Sequence, residues 1–192
     1  MMPLDGRKRA VRAAARLVLQ GCDPAAGTVV CQRVLASGLI QPGMVVAGFL
    51  PLGHEVDIAP LLRALRDAGH IVGLPRTPPR GQPLTFHRWG HDDPLRPERF
   101  GTQTSDGPEI APDLLLVSML AFDRCCHRLG YGGGYYDRTL AARPGIRAIG
   151  CAHAAQERDD IPTGPTDLPL GWIATERELI AAAQPRAVTL PT

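Results

Sequence analysis

Lysine is almost missing from this 192-residue chain: Lys8 stands alone, and the other twenty of its 21 basic residues are arginine. That bias makes any single arginine weak testimony and sets Lys8 apart. Excess charge is missing too, because 21 basic against 19 acidic residues leave a net +2. The balance excludes the broad basic face of a nucleic-acid binder and a surface held to anionic lipid, so an anionic ligand must be gripped by a local site. No window approaches the ~20 apolar residues of a membrane span. The opening MMPLDGRKRAVRAAARL has neither the long apolar run nor the small-residue cleavage site of a signal peptide. The five cysteines, Cys22, Cys31, Cys125, Cys126 and Cys151, lack the spacing of a disulfide framework or a zinc site. Reduced thiols in a cytoplasmic protein are the expectation. Cys125 and Cys126 read as two small residues filling a turn, with redox activity as the alternative.

What is present is ordinary for one globular domain, with 44% hydrophobic and 21% charged residues. Arg7 to Leu19 has the spacing of an amphipathic helix ended by Gly21, and Thr28 to Ala36 that of a second helix stopped by Gly38. MVVAGFL, Met44 to Leu50, is a short apolar run between Pro42-Gly43 and Pro51, as expected of a strand buried on both faces. Asp57 can cap a helix running to Ala68, with Pro60 in its first turn. Further strands are expected at His70 to Leu74, Asp113 to Val117, Ile146 to Cys151 and Trp172 to Thr175, and a helix at Tyr135 to Ala142. Arg76 to Pro112, rich in Pro, Gly and charge, reads as a long surface excursion with one strand at Leu84 to Arg88. Residues 185–192 read as a loose tail. The alternation predicts an α/β fold: a single three-layer α/β/α domain over residues 1–192 with a mainly parallel sheet.

One stretch stands out. RLGYGGGYYDRTL, Arg128 to Leu140, holds four glycines in five residues, Gly130, Gly132, Gly133 and Gly134, and all three tyrosines of the chain. Glycines let main-chain N–H groups converge, and a following helix adds the positive end of its dipole, so the loop suits phosphate oxygens. Arg128 offers a bidentate donor at its edge. Asp137, one turn past Gly133, is placed to hold a magnesium ion on those phosphates. Tyr131, Tyr135 and Tyr136 present flat faces to a ring. The alternative is a glycine-rich turn with tyrosines packing the core, since the pattern is neither a Walker loop nor a dinucleotide fingerprint. In a parallel sheet, a ligand sits beyond the carboxyl ends of the strands, where this stretch falls.

DLLLVSMLAFDRCCHRLGYGGGYYDRTL, Asp113 to Leu140, resembles the signature of the 5-formyltetrahydrofolate cyclo-ligases, also called methenyltetrahydrofolate synthetases. Weaker matches in the same order are the first helix with Lys8 and Arg12, GFLPLGHEVD, LPRTPPRGQPLTFHRW, and Thr166 to Glu176. The resemblance implies a sheet of the kind shared with sugar-phosphate isomerases and CoA transferases. It also implies an ATP- and magnesium-dependent closure of 5-formyltetrahydrofolate to 5,10-methenyltetrahydrofolate by a cytoplasmic monomer, with no nucleic acid or membrane partner. ATP phosphorylates the formyl oxygen, the 10-nitrogen attacks the activated carbon, and phosphate leaves.

Matched position by position, the resemblance gives Lys8 and Arg12 to the nucleotide, on one helical face four residues apart; a solvated basic face is the alternative. Arg128 and the loop Gly130, Tyr131, Gly132, Gly133 and Gly134, with Tyr135 and Tyr136, would cradle the phosphates, and Lys8, Arg128 and Tyr136 would serve the transfer itself. Asp137 and Asp167 match magnesium ligands, although Asp167 also reads as a turn residue. Leu50, Glu55, Phe100, Tyr131 and Tyr135 would contact the folate; Glu55 as an exposed loop acid and Phe100 as a core residue remain open. Ser118, Cys126, Thr104-Ser105, Thr166 and Gly171 depart from the family pattern, of which Cys126 and Thr104-Ser105 bear on loops around the folate. Two other readings remain: a sugar-phosphate isomerase or CoA-transferase-like enzyme needing no ATP, and a folate or nucleotide sensor without turnover.

Overall fold

The computed structural model describes residues 2–182; the expected tail at 185–192 lies outside the described residues. The chain opens with α1 (Leu4–Gln20) and α2 (Ala26–Ala36), then β1 (Val46–Ala47), α3 (Ala59–Asp67) and β2 (Val72–Arg76). There follow β3 (Thr85–Arg88), β4 (Leu95–Pro97), a 3₁₀ turn at Arg99–Gly101, β5 (Gln103–Ser105) and β6 (Glu109–Ile110). Next come β7 (Leu114–Val117), β8 (Ala121–Phe122), β9 (Arg128–Leu129), α4 (Tyr135–Ala142) and β10 (Arg147–Cys151). A 3₁₀ turn at Ala154–Gln156, β11 (Trp172–Ala174) and β12 (Leu179–Ala181) complete it.

Eight strands form one sheet in the order β12-β11-β10-β7-β1-β2-β3-β6. The five central strands, β11 to β2, are parallel, and antiparallel strands flank them. The apolar run Leu114–Val117 explains why the centre is buried on both sides. Leu114 and Leu116 join a cluster with Val30, Val34, Leu61, Leu62 and Leu65 of α2 and α3. Leu115 and Val117 face the opposite way, toward Leu140 of α4, Phe86 and Phe122. A strand whose alternate residues both meet helices reads as continuous hydrophobicity, not alternation.

The expected elements are present, with three differences. The strand read over Met44 to Leu50 is reduced to Val46–Ala47, because the chain leaves the sheet early to carry the Gly48–Asp57 segment across its end. The excursion from Arg76 to Pro112 is not all surface, for β3 and β6 lengthen the sheet and β4 and β5 pair apart. The link from Ser118 to Leu129 contains a hairpin, β8–β9.

α1 does not lie on the main sheet. Its buried Ala15 and Leu19 pack on Leu120, Ala121 and Leu129 of that hairpin and on Ile161. A helix docked on the hairpin rather than the sheet brings its Lys8 and Arg12 to the loop that follows β9.

Leu62 is fully buried where α3 meets the sheet. Leu62→Ala is therefore expected to remove about 3 kcal/mol of unfolding free energy. Urea titration by circular dichroism checks it, and a midpoint equal to that of the unaltered chain would contradict this packing.

Candidate active site

The glycine loop is launched by a stiff hairpin. Asp123 Oδ1 accepts from the backbone N–H of Cys125 (2.9 Å) and His127 (3.0 Å), and Oδ2 pairs with His127 Nδ1 at 3.1 Å. Cys126 is buried and takes φ +61°, a left-handed conformation unusual for a side-chain-bearing residue. Cys125 is exposed and both thiols are free, as expected of residues shaping a turn.

Beyond β9 the loop opens to solvent at Tyr131, Gly132 and Gly133. Gly132 (φ +101°) and Gly134 (φ +66°) adopt backbone that only glycine takes without strain. Among the described residues, none of the N–H groups from Tyr131 to Gly134 finds a hydrogen-bond acceptor in the protein. The first turn of α4 adds its own unpaired N–H groups. Such a cluster of free donors is a concavity for an anion. Arg12 closes one side of it: its Nε donates to Gly130 O at 2.9 Å, and a Cβ at Gly132 would stand 3.3 Å from its guanidinium carbon.

Two cation–carboxylate pairs border the loop. Lys8 Nζ donates to Asp167 Oδ2 at 2.5 Å, and Asp167 also accepts the Gly164 N–H within its turn. Arg128, with a side chain only 4% exposed, donates from Nη2 to Asp137 Oδ1 (2.9 Å) and from Nη1 to Leu168 O (2.6 Å). The Leu168 N–H reaches the same Asp137 oxygen at 3.3 Å, so the two pairs are joined through adjacent residues. Burial alone would raise the Asp167 pKa, but the hydrogen bonds from Lys8 and Gly164 and the charges of Lys8 and Arg128 hold it below the usual value.

Glu55 is 8% exposed. Its Oε2 accepts the Leu52 N–H at 2.9 Å, while Oε1 is buried with no hydrogen-bond partner. Burial pushes its pKa up; Leu52 N–H and the nearby hydroxyls of Tyr131 and Ser118 pull it back, without closing a bond on Oε1. Burial and the Glu55 charge in turn raise the Tyr131 and Tyr136 hydroxyls, against Arg16 and Arg128 respectively. A buried, unpaired carboxylate oxygen is expensive, and a ligand N–H relieves it.

The sequence-predicted residues largely converge. Lys8, Arg12, Arg128, Asp137, Asp167 and the glycines ring the loop. Glu55 is a buried acid, not an exposed loop acid. Phe100 is not core: it is 62% exposed at φ +64°, its ring 6.5 Å from that of Tyr135, while its neighbour Gly101 abuts Leu52. Tyr135 donates to Pro78 O at 3.2 Å. Leu50 and Tyr136 are half-buried, packed respectively on the two core clusters either side of the sheet. Two surface grooves, of about 560 Å³ along the outer face of α1 and about 440 Å³ beside Cys22 and Glu176, contain none of these residues. Sequence reasoning missed Arg138, whose signal was its position four residues past Gly134, facing back over the preceding turn.

Comparison with known proteins follows this geometry. The model of the 5-formyltetrahydrofolate cyclo-ligase family matches residues 5–176. The chain is 34% identical over 157 residues to a 5-formyltetrahydrofolate cyclo-ligase of Mycolicibacterium smegmatis, covering 76% of this chain and 80% of the relative. It is 33% identical over 139 residues to that of Escherichia coli, covering 68% and 76%. Its fold is similar to that of a 5,10-methenyltetrahydrofolate synthetase from Aquifex aeolicus (TM-score 0.74, 23% identity, 95% and 96% of the two chains). A Mycoplasma pneumoniae 5,10-methenyltetrahydrofolate synthetase gives a TM-score of 0.71 at 19% identity, covering 88% and 98%.

Glu55 supplies a prediction with a definite sign. Its folded pKa lies above its unfolded one, so ionising it above that value weakens the fold, and the cost vanishes in acid. Glu55→Gln is expected to melt at or above the unaltered protein at pH 8, with the difference closing by about pH 4. Thermal unfolding across that range tests it; a variant several degrees less stable at pH 8 would refute the buried-charge account.

Proposed function

Because the chain belongs to the 5-formyltetrahydrofolate cyclo-ligase family, we propose that it closes 5-formyltetrahydrofolate to 5,10-methenyltetrahydrofolate with ATP and magnesium, using the residues assembled around the glycine loop. The observation that carries this reading is the set of free N–H groups from Tyr131 to Gly134 beside two cation–carboxylate pairs. Phosphoryl transfer asks a protein chiefly for positioning and charge neutralisation. This site offers both.

The donors sort by place. The loop amides and the α4 terminus take phosphate oxygens, with Lys8 and Arg12 adding positive charge from α1. Arg128, already engaged by Leu168 O and Asp137, steadies Asp137 and lends its charge to the developing phosphate. Asp137 and Asp167 form a donor set that fits magnesium brought in with phosphates, because that ion commonly uses one or two carboxylates and completes its shell with phosphates and water. Bound there, it would neutralise charge between phosphate oxygens. Among the described residues no group of three His, Cys, Asp or Glu forms a freestanding metal site.

The folate belongs on the Glu55 side. The unpaired Oε1 can accept from a pterin N–H, and Phe100, Tyr131 and Tyr135 offer ring faces, with Leu50 below. Tyr136, half-buried between the Glu55 and Arg128 charges, stands between the two substrates. The formyl oxygen attacks the γ-phosphorus and ADP leaves. The 10-nitrogen then forms its bond to the formyl carbon, loses its proton, and the carbon–oxygen bond breaks to release phosphate. We read the chain as one domain acting as a monomer. Its five free thiols and the absence, among the described residues, of a helix able to cross a membrane support a cytoplasmic setting.

The purified protein with magnesium, ATP and 5-formyltetrahydrofolate is expected to generate the methenyl chromophore with one phosphate per product. Asp137→Asn should fold normally yet lose roughly 100-fold or more in turnover. ATP hydrolysis independent of folate, or full activity in that variant, would contradict the reading.

A further inference from the structure

Arg138 lies outside the residues to which the resemblance gives a role, yet its guanidinium holds a carbonyl of the glycine loop as Arg12 does at the other end. Its Nη2 donates to Gly133 O at 2.7 Å and its Nε to Gln82 O at 3.0 Å. The guanidinium carbon sits 4.9 Å over the Tyr135 ring, within cation–π range. A Cβ at Gly134 would fall 2.8 Å from Nη1, so a side chain there would displace the guanidinium. Tyr135 in turn donates to Pro78 O. One side chain thus ties together the loop, the first turn of α4 and the 78–82 segment of the long excursion.

The consequence follows from peptide geometry. In a trans peptide the C=O and the following N–H point in opposite directions. With Gly133 O held by Arg138, the Gly134 N–H points away from Arg138. At the other end Arg12 holds Gly130 O, so the Tyr131 N–H points away from Arg12. Two guanidiniums grip the carbonyls at the ends of the loop and leave the amides between them for an anion. Gly132 and Gly134, both in left-handed backbone, have the conformational freedom to turn a carbonyl toward that anion instead, where it would repel.

We propose that Arg138 is a positioning residue for the nucleotide: by holding the Gly133 carbonyl and bracing Tyr135 and Gln82, it keeps the loop amides aimed at the phosphates without touching the reacting atoms. This rests on the reading of the loop as the phosphate site. It assigns Arg138 a larger effect on nucleotide affinity and a smaller one on the folate, which Arg138 reaches only through the Tyr135 ring it braces.

The test uses the full chain and the variants Arg138→Ala and Arg138→Lys, each checked for unaltered circular dichroism and melting. In the ligand-free protein, the ¹⁵N heteronuclear NOE of Gly132, Gly133 and Gly134 should fall in Arg138→Ala. Calorimetry with magnesium and a non-hydrolysable ATP analogue should show roughly tenfold weaker binding, and KM for ATP should rise about as much while KM for the folate rises clearly less. Arg138→Lys, able to hold one carbonyl but not two, should fall between; if the alanine variant fails to fold, this one carries the comparison. Unchanged NOEs with unchanged nucleotide binding, or equal losses for both substrates, would overturn the proposal. If the unaltered protein itself binds no nucleotide, the phosphate reading is what fails; a drop in the glycine NOEs then leaves the grip standing without its proposed purpose.

Discussion

Main-chain amides bind an anion only when the carbonyls between them are held elsewhere. Every other feature of this site serves that constraint. The Asp123 hub stiffens the hairpin that delivers the loop, and α1 leaves the main sheet to dock on that hairpin so that Arg12 meets Gly130 O. Four backbone donors of the loop, Tyr131 to Gly134, are then left without a partner among the described residues. The surrounding charges are arranged to tolerate this without a ligand, since Lys8 is matched by Asp167 and Arg128 by Asp137. Under the proposed function a triphosphate with a divalent cation would exchange partners with both pairs, its oxygens meeting the cations and its metal the carboxylates.

The sheet gives a reason for two proposed substrates to meet here. β1 and β7 are parallel neighbours, paired Val46 to Leu114 and Ala47 to Leu115, so the chain leaving each ends on the same rim. From β1 it carries Leu50, Leu52 and Glu55. From β7 it carries Ser118, the hairpin and the glycine loop. A crevice beyond the carboxyl ends of adjacent parallel strands is where such sheets bind ligands. The antiparallel additions β3 and β6 bring the Pro78–Gln82 and Phe100 segments around to wall it. An unpaired buried Glu55 oxygen is costly in the free protein, and under the proposed function a ring with N–H donors would relieve it.

Much of this was legible in the sequence, for physical reasons that differ by element. DLLLV is hydrophobic throughout because helices cover both faces, and the glycine loop announces itself because no other residue tolerates its backbone. Lys8 stood out by rarity, and the fold pairs it with Asp167 across 159 positions. Glu55 was ambiguous, since one acid after a strand looks alike whether buried or exposed; only the fold, which wraps Leu52 and Tyr131 about it, decides. The excursion from Arg76 to Pro112 was the least legible: its strand at Leu84 to Arg88 was read and is β3, but β4, β5 and β6 were not, because β6 is placed by pairing with β3, and β4 and β5 by pairing with each other, not by local propensity. Arg138 was easily passed over in a chain where arginine serves nearly every basic position.

The most direct test of the account is a ¹H–¹⁵N titration of the protein with magnesium and ADP. The amides of Tyr131, Gly132, Gly133 and Gly134 should shift furthest downfield and saturate together, as free donors acquiring phosphate acceptors do. Saturable binding that perturbs other amides while these four stay in place would contradict the claim that the glycine loop is the nucleotide site.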